Sequence, residues 1–199
     1  VSNKVLIPRP ETEMIIEIIT EIFKNNNRKI TFVDLGTGSG AIGIALALAN
    51  PKWNGLATDI DKNAIEIASK NFTKYSNQSN LKFFHGNWWD PIENFKGKID
   101  LAVANPPYIP KETYLKLPKE VKNFEPKHAL LGGEDGLDHI KEIVRYAPLY
   151  LKEKGFLLVE NHFDQGTRVK QIFVENRFTS VKVLKDFSGI GRFTIGRYK

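Results

Sequence analysis

Residues 30–40 read Ile30-Thr31-Phe32-Val33-Asp34-Leu35-Gly36-Thr37-Gly38-Ser39-Gly40, and the Ala/Leu-rich run from Ala41 to Asn50 follows at once. The first six residues predict a short buried strand, the alternating glycines a tight turn, and the following run a helix. Glycines in such a turn let the chain fold sharply and a ligand come close, and the helix start beyond offers unpaired N–H groups. Strand, turn and helix together are the first half of a parallel βα unit.

The same alternation continues downstream. Asn54 to Asp59, Leu81 to His85, Lys98 to Ala104 and Gly155 to Glu160 read as strands, and Lys62 to Tyr75, Gly136 to Leu151 and Gln165 to Asn176 as helices. Between Ala104 and Gly136 the pattern is irregular. Thr179 to Asp186 and Arg192 to Tyr198 close the chain as two strands joined by Phe187-Ser188-Gly189-Ile190-Gly191, with no helix between them. The expected fold is therefore α/β: seven strands in a mostly parallel sheet, helices on both faces, and an antiparallel last strand. Upstream, Val5-Leu6-Ile7 reads as extended chain beside Pro8 and Pro10, and a helix opens at Pro10 or Thr12. Its apolar stripe is Ile15, Ile18, Ile19, Ile22 and Phe23, and Asn25-Asn26-Asn27 ends it. Residues 1–25 thus form a leading strand and helix, and residues 26–199 the main domain.

Composition narrows the function classes. A chain of 199 residues with 41% hydrophobic and 26% charged residues suits one globular domain with a full core. Without cysteine there is no disulfide framework and no thiolate nucleophile or metal ligand. His85, His128, His139 and His162 show no metal-ligand spacing, so no metal is expected. Neither a bilayer-length apolar run nor a signal-peptide pattern is present, which predicts a cytoplasmic protein away from membranes. A net charge of +6 leans toward an anionic partner. The chain begins at Val1 rather than Met, which reads as a piece whose upstream part is missing.

Asp59, at the end of the second strand, stands where an acidic side chain can grip a ribose diol. With Gly36, Thr37, Gly38, Ser39 and Gly40 it predicts a nucleoside-containing cofactor. A dinucleotide loop reads G-x-G-x-x-G, and a P-loop needs Gly-Lys-Ser/Thr; neither stands here. Asp34 before the loop suits a cationic ligand better than phosphates, which favours S-adenosylmethionine, a sulfonium with an amino group. Just beyond the third strand, Asn87 is placed to hydrogen-bond the base edge and Trp88 to pack on its face.

Asn105-Pro106-Pro107-Tyr108 follows the fourth strand. Two prolines end the ladder, leaving a rigid corner with an amide, a free carbonyl and an aromatic ring. The Asn105 oxygen and the Pro106 carbonyl can accept both N–H bonds of a planar amide or amine, and those bonds strengthen as the nitrogen takes up a methyl group and becomes positive. Tyr108 can stack on the flat group and favour its positive charge. No strong base is needed, which fits the expectation of a site without histidine or cysteine.

Asp34 to Gly40, Asp59 and Asn105 to Tyr108 together resemble the class I S-adenosylmethionine-dependent methyltransferases that modify planar nitrogens, with their Rossmann-like sheet. Val5-Leu6-Ile7-Pro8-Arg9-Pro10-Glu11-Thr12-Glu13 resembles the signature of one group among them, the peptide chain release factor glutamine N5-methyltransferases. Phe124-Glu125-Pro126, Ala129-Leu130 and Gly196-Arg197-Tyr198 are similar to that group too. The resemblance implies methylation of the glutamine in the Gly-Gly-Gln motif of class 1 release factors. It implies cofactor contacts at Gly36 through Gly40, Asp59, Trp88 and Asn105, and substrate contacts at Asn105, Pro106, Pro107 and Tyr108. It also implies a helical substrate-recognition domain upstream. Asn87 departs from the pattern, since the family usually carries an acidic residue there. Two other readings stay open on the residues: an amino-methyltransferase acting on adenine or guanine in DNA or RNA, and a cofactor-binding module without turnover.

Overall fold

The computed structural model describes residues 10–24, 28–75 and 79–199. The extended stretch around Val5-Leu6-Ile7 and the stop at Asn25-Asn26-Asn27 lie outside the described residues. Helix α1 (Pro10–Phe23) leads into β1 (Thr31–Leu35), α2 (Ala41–Ala49), β2 (Asn54–Asp59), α3 (Lys62–Tyr75) and β3 (Leu81–His85). A 3-10 helix (Asp90–Phe95) precedes β4 (Ile99–Ala104). Three short helices follow: α4 (Lys111–Lys116), α5 (Lys119–Phe124) and α6 (Lys127–Leu130). The chain then runs through α7 (Asp138–Tyr150), β5 (Leu151–Glu160), α8 (Gly166–Glu175), β6 (Phe178–Lys185) and β7 (Gly191–Tyr198).

The seven strands form one sheet in the order β3-β2-β1-β4-β5-β7-β6. Strands β1 to β5 pair parallel, and β7 lies antiparallel between β5 and β6, as the missing helix before it requires. Near-continuous apolar strands arise because both faces are covered. Phe32, Leu101, Val103 and Leu158 pack with Ile15 and Ile19 of α1 and Ile44 and Leu46 of α2. Their neighbours Val33, Ala102, Ala104 and Leu157 pack on the other side with Ile140, Ile143 and Val144 of α7 and Phe173 of α8. Among the described residues no helix is long and apolar enough to cross a membrane.

Two details differ from the sequence reading. Strand β5 begins at Leu151, four residues before the expected Gly155. Ile99 pairs with Leu151 but Leu101 with Phe156, so β5 carries a bulge through Lys152-Glu153-Lys154, where Lys154 adopts a φ of 65°. These charged residues hide the strand from an apolar pattern. The segment after β4 is also more ordered than expected, with α4, α5 and α6 following Pro110, Pro118 and Pro126 at their N-caps.

Strand order reverses between β1 and β4, and in open α/β sheets that switch point is where ligands sit, at the carboxyl ends of the strands. The glycine loop leaves β1 there and the Asn-Pro-Pro-Tyr corner leaves β4 beside it.

Candidate active site

A cavity of about 260 Å³ opens at this switch point. Gly36, Thr37, Gly38 and Ser39 form part of its wall, with Asp59 from the end of β2. Asn87 and Trp88 come from the turn after β3, and Asn105 and Pro107 from the corner after β4. Nine of the residues singled out from sequence therefore meet at one place. Gly40, Pro106 and Tyr108 are not part of this wall. Gly40 faces Ile44 and Ala68, Pro106 is buried, and Tyr108 packs partly buried against the core.

The loop is tied down by the two acidic residues. Asp34 is buried beneath it, and its Oδ2 accepts hydrogen bonds from Thr37 Oγ1 at 2.6 Å and Gly43 N–H at 2.9 Å. Its Oδ1 is buried without a partner. Burial pushes the Asp34 carboxyl up to about 6; the bonds from Thr37 and Gly43 oppose this, and the Asp59 charge adds to it. Asp59 accepts from Gly38 N–H at 2.8 Å through Oδ2 and from Asp61 N–H at 2.9 Å through Oδ1. Burial raises its pKa as well, against the pull of those two N–H groups. Each Asp59 oxygen keeps a second lone pair with which to accept from a diol.

Gly36 adopts a φ of 71°, and a Cβ there would lie 2.8 Å from the Trp88 ring. Glycine is required on both counts. Trp88 itself holds a φ of 39°, a conformation a bulky side chain rarely takes, and its indole N–H is buried without a partner. The ring lies 5.6 Å from that of His139. Trp89 has a different role: it is a core residue, stacked on Tyr150 at 4.8 Å with its indole N–H donating to the Ile143 carbonyl.

At the corner after β4, Asn105 Nδ2 donates to Thr12 Oγ1 at 3.2 Å, and Thr12 Oγ1 donates to Glu160 Oε2 at 3.0 Å. Tyr108 donates its hydroxyl to the other oxygen of Glu160 at 3.1 Å. Glu160 thus ties the corner to α1 and β5, and by engaging Nδ2 the relay leaves the Asn105 oxygen as the free end of the amide. The buried Gln165 braces the corner from behind: its amide donates to the Tyr108 carbonyl at 2.9 Å and to the Gly136 carbonyl at 3.2 Å. Gly136, at a φ of 75°, lets that approach happen, because a Cβ there would sit 2.3 Å from the Tyr108 carbonyl oxygen.

Sequence reasoning missed Thr12, Glu160, Gln165, His128 and His139 as parts of the site and its support. The expectation of a site without histidine is corrected here. His128, brought in by α6, and His139 of α7 both stand in the cavity wall, because the segment after β4 folds back over the switch point. No local spacing announces either one.

Residues 12–119 match the family model described as "Methyltransferase small domain". A release factor glutamine methyltransferase of Prochlorococcus marinus is 39% identical over 194 residues, spanning 97% of this chain and 66% of its own length. One of Neisseria gonorrhoeae is 40% identical over 198 residues, spanning 100% of this chain and 70% of its own. The chain belongs to the release factor glutamine methyltransferase family. It spans about two thirds of the length of these relatives. The fold is shared more widely. A crystal structure of a ribosomal protein L11 methylase from Lactobacillus delbrueckii superposes with a TM-score of 0.64 at 19% identity, covering 94% of this chain and 80% of that one. The sheet of this chain is thus Rossmann-like, as in methyltransferases, and its glycine loop and Asn-Pro-Pro-Tyr corner flank the cavity.

Proposed function

We propose that this chain transfers the methyl group of S-adenosylmethionine to the side-chain amide nitrogen, N5, of the glutamine in the Gly-Gly-Gln motif of class 1 peptide chain release factors. One observation carries the reading: Asn105, its amide held by Thr12, stands in the same cavity wall as the glycine loop and Asp59. Family membership supports the same chemistry and the same substrate.

The residues present fit the cofactor. The unpartnered Oδ1 of Asp34 is a buried anionic acceptor beneath the loop, suited to a cationic amino acid group. The open space over Gly38 admits a ligand against the backbone. Asp59 suits the ribose hydroxyls, Trp88 an aromatic base face, and Asn87 the base edge. S-adenosylmethionine supplies an electrophilic methyl group on a sulfonium.

The chain's own residues do the rest by holding the acceptor. An amide nitrogen shares its lone pair with its carbonyl and attacks poorly. The Asn105 oxygen and the Pro106 carbonyl accept its two N–H bonds and fix its direction of approach. As an N–CH3 bond formed and the sulfonium S–CH3 bond broke, the nitrogen would become positive, its hydrogens would become more acidic, and both bonds to Asn105 and Pro106 would strengthen; one of these hydrogens would then pass as a proton to solvent water. Pro107 bounds the slot for the flat amide, and Tyr108, behind the cavity wall, braces the corner through Glu160 and Gln165. Alignment of nucleophile and methyl group supplies the remaining advantage.

The test is incubation with methyl-labelled cofactor, a class 1 release factor and bulk DNA and RNA, followed by peptide mapping. Label on the Gly-Gly-Gln glutamine is expected. Label on nucleic acid alone refutes the reading.

A further inference from the structure

Asn87 sits between two cavities. One is the site described above. The other lies on its far side, walled by Glu142 and Tyr146 of α7 among others, and Glu142 has no part in the first. Asn87 Nδ2 donates to Glu142 Oε1 at 2.8 Å. A carboxylate only accepts, so it decides which end of the amide faces it; the flipped amide would set two acceptor oxygens against each other. The ends of a planar amide diverge, and Oδ1 is left as the end not held by Glu142.

We propose that Glu142 is a positioning residue that locks the Asn87 amide with its oxygen toward the cofactor base, and so makes the site select a 6-amino purine over a 6-oxo purine. The proposal rests on reading the cavity as the S-adenosylmethionine site. An unrestrained asparagine can offer either its oxygen or its NH2 group to a base edge, and so distinguishes a donor from an acceptor poorly. An asparagine held by Glu142 offers only the oxygen. It then presents the same acceptor as the acidic residue that the family resemblance leads one to expect at position 87. The substitution at 87 is thus made good by a residue 55 positions away on another helix.

The test is calorimetric titration of S-adenosylhomocysteine and S-inosylhomocysteine into the whole chain and its variants. The two ligands differ only at the purine edge: the first offers an amino donor, the second an oxygen that would face Oδ1. The unsubstituted protein is expected to prefer the adenosine ligand about 10- to 100-fold, the range for leaving a polar pair unmatched. In Glu142→Gln the preference falls to within about 3-fold, because a glutamine there can receive either end of Asn87. The double variant Asn87→Asp/Glu142→Gln restores the preference, since an aspartate at 87 needs no orienting partner. Asp59→Ala weakens both ligands alike. A preference unchanged in Glu142→Gln, or absent from the unsubstituted protein, overturns the proposal and leaves the cofactor reading standing. Failure of the unsubstituted protein to bind S-adenosylhomocysteine at all overturns that reading and the proposal with it. Both Glu142 and Asn87 are only partly buried, and thermal melts of each variant verify that the fold is intact.

Discussion

Replacing Asp34 by Asn isolates a penalty that the fold carries under its glycine loop. Below pH 3.8 the carboxyl is protonated whether the chain is folded or not, and it contributes nothing to pH dependence. Between that value and about 6 the unfolded chain releases the proton while the folded protein keeps it, so stability falls as pH rises. Above about 6 the penalty is complete: a gap of about two pH units at about 1.4 kcal/mol each gives about 3 kcal/mol. Asparagine has nearly the same shape, its oxygen can accept from Thr37 and Gly43 as Oδ2 does, and it does not ionise. The assay is urea unfolding of both proteins at pH 4, 5, 6 and 7. The stability of Asp34→Asn relative to the unsubstituted protein should rise by about 2.5 kcal/mol from the lowest to the highest pH, since a small part of the penalty is already present at pH 4. Parallel curves refute the reasoning. The ammonium group of a bound ligand favours the ionised carboxylate, so S-adenosylhomocysteine affinity should strengthen across the same window more steeply in the unsubstituted protein than in the variant, where Asp59 alone remains to ionise.

Asn105→Ala should lower kcat by about 100-fold, because it removes an acceptor used most fully in the transition state, while cofactor Kd changes little; steady-state kinetics with release factor and calorimetry separate the two. Asp59→Ala should weaken cofactor binding by about 10-fold or more through loss of a charge-assisted acceptor, with kcat at saturating cofactor preserved. Gly36→Ala should cost about 1–3 kcal/mol by denaturant unfolding, since it puts a Cβ into both a left-handed backbone and the Trp88 ring. Adding Trp88→Ala relieves only the ring contact, so only part of the loss should return.

The sheet was readable because its strands carry their own signals. Asn54–Asp59, Lys62–Tyr75 and Leu81–His85 have the bounds the apolar pattern predicts. The segment after β4 was not readable by periodicity, because α4, α5 and α6 are four to six residues long and too short to show a stripe. The regular spacing of Pro110, Pro118 and Pro126 was the available signal, each proline fixing the backbone just ahead of a helix. The site divides the same way. Gly36 through Ser39 and Asn105 with Pro107 are contiguous, and they stood out. Thr12, Glu142 and Glu160 act through hydrogen bonds to residues 93, 55 and 52 positions away, and a side-chain partner at such range leaves no mark on local sequence.

The relay from Glu160 through Thr12 to Asn105 gives this protein an order of assembly. Thr12 and Glu160 are 148 residues apart, so their bond closes a loop holding most of the chain. The glycine loop and Asp59 lie within the first 59 residues and can come together while β5 is still being synthesised. Asn105 gains its fixed amide only once β5 has docked beside β4. A nascent or truncated chain ending before Glu160 would have the residues of its glycine loop and Asp59 but no relay to fix the Asn105 amide, so an aligned Asn105 reports that β5 has docked.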